Sequence, residues 1–340
     1  MLRWWHKIKD NIISIIIPAY NIEHFLDTAL ESVLSQSYTN LEIIVVNDGS
    51  SDGTGAVMNA YASRNERVRV IHKENGGVTS ARLAGVAAAR GEWIGFVDGD
   101  DRIEPQMYQR LLENALAHNA DISHCGYQRV IPSRVDYYYN TGKLVLQDHD
   151  AGLHDLIEGQ FIEPGLCNKL YRRELFAGLT ERMDITIRNN EDLLMNYWLF
   201  KAAQCSVYED VCPYHYIVRK NSATTSRLTE HKLWDPLRVT QIILEDAPEK
   251  IRPAAFRRLV RILISGTSMD LGQDQELIQH YRKHARRELR AEISGILLGN
   301  QCSFKLKTMA LWSLLWPASY GFVHKLYEKI SGLDKIYSIE

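Results

Sequence analysis

Residues 91–105 read "GEWIGFVDGDDRIEP". An apolar run, Trp93 to Val97, leads directly into Asp98, Gly99, Asp100 and Asp101. Such a run is long enough for a buried strand and too short for a helix of ordinary length. Like charges this close repel, and nothing within the stretch neutralises them. Either something positive faces the acids, or they form a solvated turn. Asp98-Gly99-Asp100 at a strand end suits a hard divalent cation, because carboxylate oxygens are the ligands that Mg²⁺ and Mn²⁺ prefer. The glycine permits a turn that a side chain would obstruct.

The same theme repeats upstream. "ISIIIPAY" (Ile13–Tyr20), "LEIIVV" (Leu41–Val46) and "VRVIH" (Val68–His72) are short, β-branched runs. Each ends in a polar or Gly-containing loop: "PAYN", "NDGSSDG" and "KENGG". Helical spacing fills the gaps, over residues 22–37, 54–64 and 76–91. Strands alternating with helices imply right-handed βαβ units and a parallel sheet, whose ligands bind beyond the carboxyl ends of the strands. The polar loops are all expected on that one edge. Asp48 there is placed to accept hydrogen bonds from a base or ribose, and Asp52 or Thr54 to cap the following helix.

Beyond Asp101 the pattern loosens. A helix is expected from "QMYQRLLENALAHNA", a strand from "DISHCGYQRV", and an edge hairpin or loop over residues 131–150. In "NNEDLLMNYW", Glu191 and Asp192 precede an apolar helical run, as acids favoured by the helix dipole or as a general base. "YHYIVRKNSATTS" offers Arg219 and Lys220 to an anionic leaving group, or to solvent.

The chain has 340 residues, 45% hydrophobic and 24% charged, enough for a sizeable core. Its formal net charge of −2 argues against a nucleic-acid binder but hides an asymmetry. Residues 250–330 hold 14 Lys and Arg against 6 Asp and Glu, a net of +8; residues 1–249 hold 25 against 34, a net of −9. The two parts should face different partners. Cys125, Cys167, Cys205, Cys212 and Cys302 form no CxxC pair, which fits a reducing compartment better than a disulfide scaffold or a zinc site. "MLRWWHKIKD" is basic and aromatic, but the apolar run after it reads as a strand rather than a secretory signal.

Six segments in this order, "SIIIPAYN", "ESVLSQSYTNLEIIVVNDGSSDGT", "NGGVTSARLAGVAAARGEWIGFVDGDD", "NKLYRRELF", "NNEDLLMNYWLF" and "YHYIVRKNSAT", resemble the family 2 glycosyltransferases. The resemblance runs from about Ser14 to Ser226. It implies an α/β GT-A fold, a mostly parallel Rossmann-like sheet flanked by helices, over residues 1–227. The nucleotide-sugar half would span about 12–105 and the acceptor half about 106–227, with a basic helical region at 228–340. It implies an inverting transferase that moves a sugar from a nucleotide-diphosphate sugar, most often a UDP-sugar, to a glycan or lipid-linked acceptor of bacterial surface polysaccharide. Carried over by position, Pro18, Tyr20 and Asp48 would line the base and ribose site. Arg82 would lie near the nucleotide and Asp98 near ribose or phosphates. Asp100, with Asp98, would hold Mn²⁺ or Mg²⁺. Asp192 would be the base beside Glu191, and Arg219 would approach the diphosphate. Leu83 stands where relatives commonly have Asn, and "NNED" lacks the glycine often found before the acidic pair.

Two competing readings are an inactive homologue serving as an assembly subunit and a sugar nucleotidyltransferase. Intact Asp98, Asp100 and Asp192 argue against the first. The absence of a Gly-rich, Lys-containing phosphate loop after the first strand argues against the second. Finally, "SFKLKTMALWSLLWPASYGFVHKLYEKI" (Ser303–Ile330) has an apolar stretch of roughly 15 residues, against roughly 20 needed to span a bilayer. Lysines flank it, and Trp and Tyr suit an interface. It reads as an in-plane anchor on an anionic membrane surface, on the cytoplasmic side, or as a helix packed on the catalytic domain.

Overall fold

The computed structural model describes residues 11–131, 134–136, 140–159, 161–219, 227–269 and 274–331. The chain divides into two compact units, Met1–Val218 and Arg219–Glu340.

The first unit opens with β1 (Ile13–Ala19), α1 (Leu26–Leu34), β2 (Leu41–Asp48), α2 (Thr54–Arg64), β3 (Val68–Lys73), α3 (Val78–Ala88) and β4 (Trp93–Phe96). These strands lie parallel in the order β3-β2-β1-β4, as the alternation of strand and helix requires. The register sets Pro18 beside Val46 and Asp48 beside Lys73, so the polar strand ends share one edge. β1 and β2 are buried nearly throughout, which is why they read as unbroken apolar runs.

Past β4 come β5 (Arg102–Ile103), α4 (Met107–Ala117), β6 (Ile122–Ile131), β7 (Arg134–Asp136), β8 (Leu144–Asp148), α5 (His149–Glu158) and β9 (Lys169–Arg172). After them follow α6 (Leu179–Arg182), α7 (Glu191–Ala202) and β10 (Cys205–Ile217). Here the sheet becomes mixed. β9 lies antiparallel to both β4 and β6, while β6 and β10 run parallel. Unbroken parallel order therefore holds for β1–β4 only, whereas the rest of the sheet mixes parallel and antiparallel pairs. The segment expected as an edge hairpin or loop contributes β7 and β8, paired with β6 and β10 respectively.

The second unit is helical: α8 (Glu230–Asp246), α9 (Arg252–Ser268), α10 (Gln275–Leu298), α11 (Phe304–Leu315) and α12 (Pro317–Ser331). Leu237, Val260, Leu263, Tyr281, Ala285 and Leu289 are in its core. Among the described residues no helix is long and apolar enough to cross a membrane. No disulfide joins any of the five cysteines, all of which are among the described residues.

Candidate active site

The loops at the carboxyl edge of β1–β4 interlock before any ligand is considered. Ser50 Oγ accepts from the Asn21 amide at 3.1 Å, and Asn21 Oδ1 accepts from the Ser51 amide at 2.9 Å. Asp52 takes the amides of Thr54 and Glu23, at 3.0 and 3.2 Å. The residue capping α2 is Gly53, without a side-chain cap, so neither Asp52 nor Thr54 occupies the cap position expected from the sequence. Asp52 works instead as a tie between two loops.

Asp48 is buried at the end of β2. Its Oδ1 accepts from Lys73 Nζ at 2.6 Å and from the Gly76 amide at 3.0 Å, and its Oδ2 from the Gly77 amide at 2.8 Å. Gly77 sits at φ 85°, a left-handed conformation that costs glycine nothing. The carboxylate thus organises the "KENGG" loop that starts α3. Nothing in the sequence marks Lys73 as the partner of Asp48 beyond its place in a polar strand end. Tyr20 is 52% exposed on this same edge, with Pro18 half-buried behind it.

The three acids after β4 part company. Asp101 is buried; its Oδ2 accepts from Tyr214 Oη at 2.5 Å and its Oδ1 from the Ile217 amide at 2.8 Å, both on β10. Burial, then the charges of Asp98 and Asp100, push its carboxyl well above the ordinary range. Asp101 is therefore a structural tie between the two halves of the sheet. Asp98 and Asp100 remain half-buried at the edge. Gly99 between them is required by close approach: a Cβ there would lie 2.4 Å from Ile22 Cδ1 and 3.2 Å from the Pro18 carbonyl oxygen.

The positive charge is Arg82, from the second turn of α3. It is buried, and its two terminal nitrogens donate to different motifs: Nη2 to Asp98 Oδ1 at 3.1 Å and Nη1 to Glu191 Oε1 at 3.3 Å. Its Nε is buried without an acceptor. Glu191 and Asp192 form the first turn of α7, after Asn190 at φ 62°. That left-handed conformation explains the departure at "NNED": the position favours glycine, and Asn is among the few other residues that adopt it readily. Asp192 Oδ1 accepts from the Leu193 amide at 2.7 Å.

Burial first, then the charge of Asp192, push Glu191 up to about 7, against the opposing pull of Arg82. Asp192 is also raised, by burial above all, with Arg82 and the Leu193 amide pulling it back. Lys169 on β9 adds a further positive charge to this field. Fully buried, it spends all three ammonium protons on Glu163 O, Gly165 O and Asn168 Oδ1, at 2.8, 2.5 and 2.8 Å. Burial holds it down at about 8. Asn196, one turn further along α7, donates to Gly165 O at 3.2 Å, so the 163–165 loop is fixed against the acid-bearing helix.

Arg219 opens the second unit, and Lys220–Ser226 lie outside the described residues. The described residues contain no cluster of three or more His, Cys, Asp or Glu that could hold a metal. The donor set nevertheless suits Mg²⁺ or Mn²⁺, which commonly take one or two protein carboxylates and complete their shell with water and substrate phosphates. Asp98 and Asp100, both partly buried at the sheet edge, are two carboxylates of the kind that would fit such a shell.

A parallel nucleotide-type half-sheet, joined through an antiparallel strand to a second half and ending at an Asp-Gly-Asp edge, defines the GT-A class of α/β folds. Residues 14–179 match the family model "Glycosyl transferase family 2". Over 217 residues it is 39% identical to the uncharacterized glycosyltransferase EpsJ of Bacillus subtilis, covering 63% of each chain. It is 28% identical over 344 residues to the glycosyltransferase GlyA of Streptococcus pneumoniae, covering 96% of this chain and 46% of GlyA. The chain thus spans less than two thirds of either relative. Among solved structures, S. aureus TarS 1–349 in complex with UDP-GlcNAc matches with a TM-score of 0.66 at 18% identity, over 93% of this chain and 91% of that one.

Proposed function

We propose that the first unit transfers a sugar from a nucleotide-diphosphate sugar, with UDP as the nucleotide, to a hydroxyl of a glycan or lipid-linked saccharide during surface-polysaccharide synthesis. One observation carries this reading: Arg82 joins the strand-edge acid Asp98 to Glu191 at the start of α7, bringing the two acidic motifs of the sequence into one buried field.

In this reading Tyr20 and Pro18 border the base and ribose. Asp48 shapes that site through the 73–77 loop it holds; three of the four acceptor positions of its carboxylate are filled, leaving one for a base N–H. Asp100 and Asp98 would hold a divalent cation, which supplies charge stabilisation for the departing diphosphate. Arg82 keeps Asp98 and Glu191 in place and orients the start of α7. Asp192 accepts the proton of the acceptor hydroxyl as its oxygen attacks the anomeric carbon; the bond to the diphosphate breaks on the opposite face and configuration inverts. Glu191, already paired with Arg82, leaves that task to its neighbour. Attachment to the inner face of the cell membrane belongs to the same reading, supported by the exposed apolar side chains of α11 and α12.

Calorimetric titration with UDP, GDP and TDP, each with and without Mn²⁺, tests it. Metal-dependent binding of UDP in preference to the others, lost in Asp100→Ala, is expected. Failure of every nucleotide to bind would overturn the donor assignment.

A further inference from the structure

We propose that the second unit docks on an anionic phospholipid surface through Arg282, Arg286 and Arg290 of α10 together with the exposed apolar side of α12. The inference extends the proposed membrane location and is independent of the catalytic assignment.

Along α10, Tyr281, Ala285 and Leu289 face the helical core. The next positions round the helix, at i, i+4 and i+8, are Arg282, Arg286 and Arg290. Like charges at this spacing repel and destabilise a helix. Among the described residues no ion pair joins any of the three to a carboxylate; the nearby Glu288 pairs with Arg287 instead. The buried Nε atoms of Arg282 and Arg286 have no acceptor. Burial, then Arg282 and Arg290, make the Arg286 guanidinium harder to keep charged. A stripe with this much uncompensated charge is stabilised by anions from outside the chain.

The apolar partner lies beside it. Arg286 Nη2 donates to the Thr267 carbonyl at 3.1 Å, at the last turn of α9. α12 crosses the same point, where a Cβ on Gly321 would lie 3.2 Å from Ser268 Cβ. From there Phe322, Leu326 and Ile330, again at i, i+4 and i+8, are 70%, 48% and 78% exposed. Trp316 and Tyr327 are exposed as well, as are Lys325 and Lys329. Apolar side chains flanked by aromatic and basic ones fit the boundary between acyl chains and headgroups. A second copy of the chain would bring the same positive field, the net of +8 over residues 250–330, against this face. Charge complementarity therefore favours lipid phosphates over self-association.

The test is co-sedimentation of the full chain with vesicles of phosphatidylcholine alone and of an equal mixture with phosphatidylglycerol, at low and high salt. Binding to the mixed vesicles that weakens with salt is expected. Replacing all three arginines by Gln should weaken it about 100-fold, and Arg290→Glu alone, at an exposed position, about 30-fold. Phe322→Ser combined with Leu326→Ser and Ile330→Ser should abolish the salt-resistant part. Circular dichroism melts establish that each variant folds, and UDP titration reports separately on the first unit. Equal binding to neutral vesicles, undiminished binding by the arginine variants, or a concentration-dependent dimer that buries the α12 face would overturn the proposal.

Discussion

Two clusters of arginine and carboxylate stand at opposite edges of the same sheet. At the amino edge, Glu42 accepts from Ser14 Oγ at 2.7 Å, Arg69 Nη1 at 2.6 Å, and the Arg90 amide and Nε at 2.9 and 2.8 Å. Burial works against the charged form, but these donors together outweigh it and hold the carboxyl below its usual value. At the carboxyl edge the ratio is reversed. One guanidinium serves Asp98 and Glu191, Asp192 lies in the same field, and the acids of α7 are pushed up rather than down. The first cluster is completed by the fold. The second is left short of positive charge, as a site completed by a ligand would be; acids perturbed by burial and by one another concentrate at such sites.

The sharpest way to break the comparison is at its acidic end. Asp192→Asn keeps the shape and removes the proposed proton acceptor, so transfer should fall by about 10²–10⁴-fold. UDP affinity should change little. Turnover close to that of the unaltered protein, measured as UDP release with an acceptor, would remove Asp192 from the mechanism.

Next in size is Arg82→Gln. Breaking a buried ion pair from one side costs about 3–5 kcal/mol, because the remaining charges lose their partner. The loss should depend on pH. Arg82 pulls Glu191 down, so without it Glu191 rises above about 7 and the folded state binds a proton that the unfolded chain, near 4.5, has released. Stability then falls as pH rises through that window. Denaturant unfolding at about pH 6 and about pH 8 should show the larger deficit at the higher value. The same deficit at both would mean that Arg82 acts through packing alone.

Much of this was legible in the sequence, for a physical reason. β1 to β4 are short apolar runs with polar ends, and a parallel half-sheet buried on both faces can hardly be written otherwise. Asp98, Arg82 and Glu191 each stand in a motif legible in the sequence, and the fold joins them. What stayed hidden depends on residues far apart in the chain. Asp101 looks like its two neighbours, yet its partners lie 113 and 116 residues away on β10. The antiparallel course of β9 was hidden as well, because "NKLYRRELF" carries no signal of direction. Lys169 reads as a surface lysine until the 163–165 loop wraps its ammonium group.

Glu42 and Glu191 should also titrate in opposite directions. Glu42 is held low, so its contribution is present above the unfolded carboxylate value and is lost as pH falls through the folded one. Glu42→Gln should cost about 2 kcal/mol at neutral pH, discounted because Arg69 and Arg90 are 41% and 71% exposed and can return to water. The gap between the variant and the unaltered protein should close as pH drops below the ordinary carboxylate range. Glu191 is held high, so its charged form weakens the fold as pH rises from about 4.5 toward 7, and Glu191→Gln should flatten that slope. Melting curves across the acid range measure both; slopes of the same sign would dissolve the distinction between the clusters.

The smallest effect tests the hinge on which the acidic cluster turns. Asn190 occupies φ 62° immediately before Glu191 and lends α7 no side-chain cap. Glycine reaches that conformation without strain but has more freedom to lose on folding, so Asn190→Gly should shift stability by less than about 1 kcal/mol in either direction. Asn190→Val is the informative partner. A β-branched residue resists the left-handed region, at a cost of about 1–2 kcal/mol, and relieving it would swing the start of α7 away from Arg82. Transfer should then fall further than the melting temperature alone explains, while UDP binding at the opposite side of Arg82 is retained. If Asn190→Val loses stability and activity in proportion, the left-handed turn supports the fold without aiming Glu191 and Asp192.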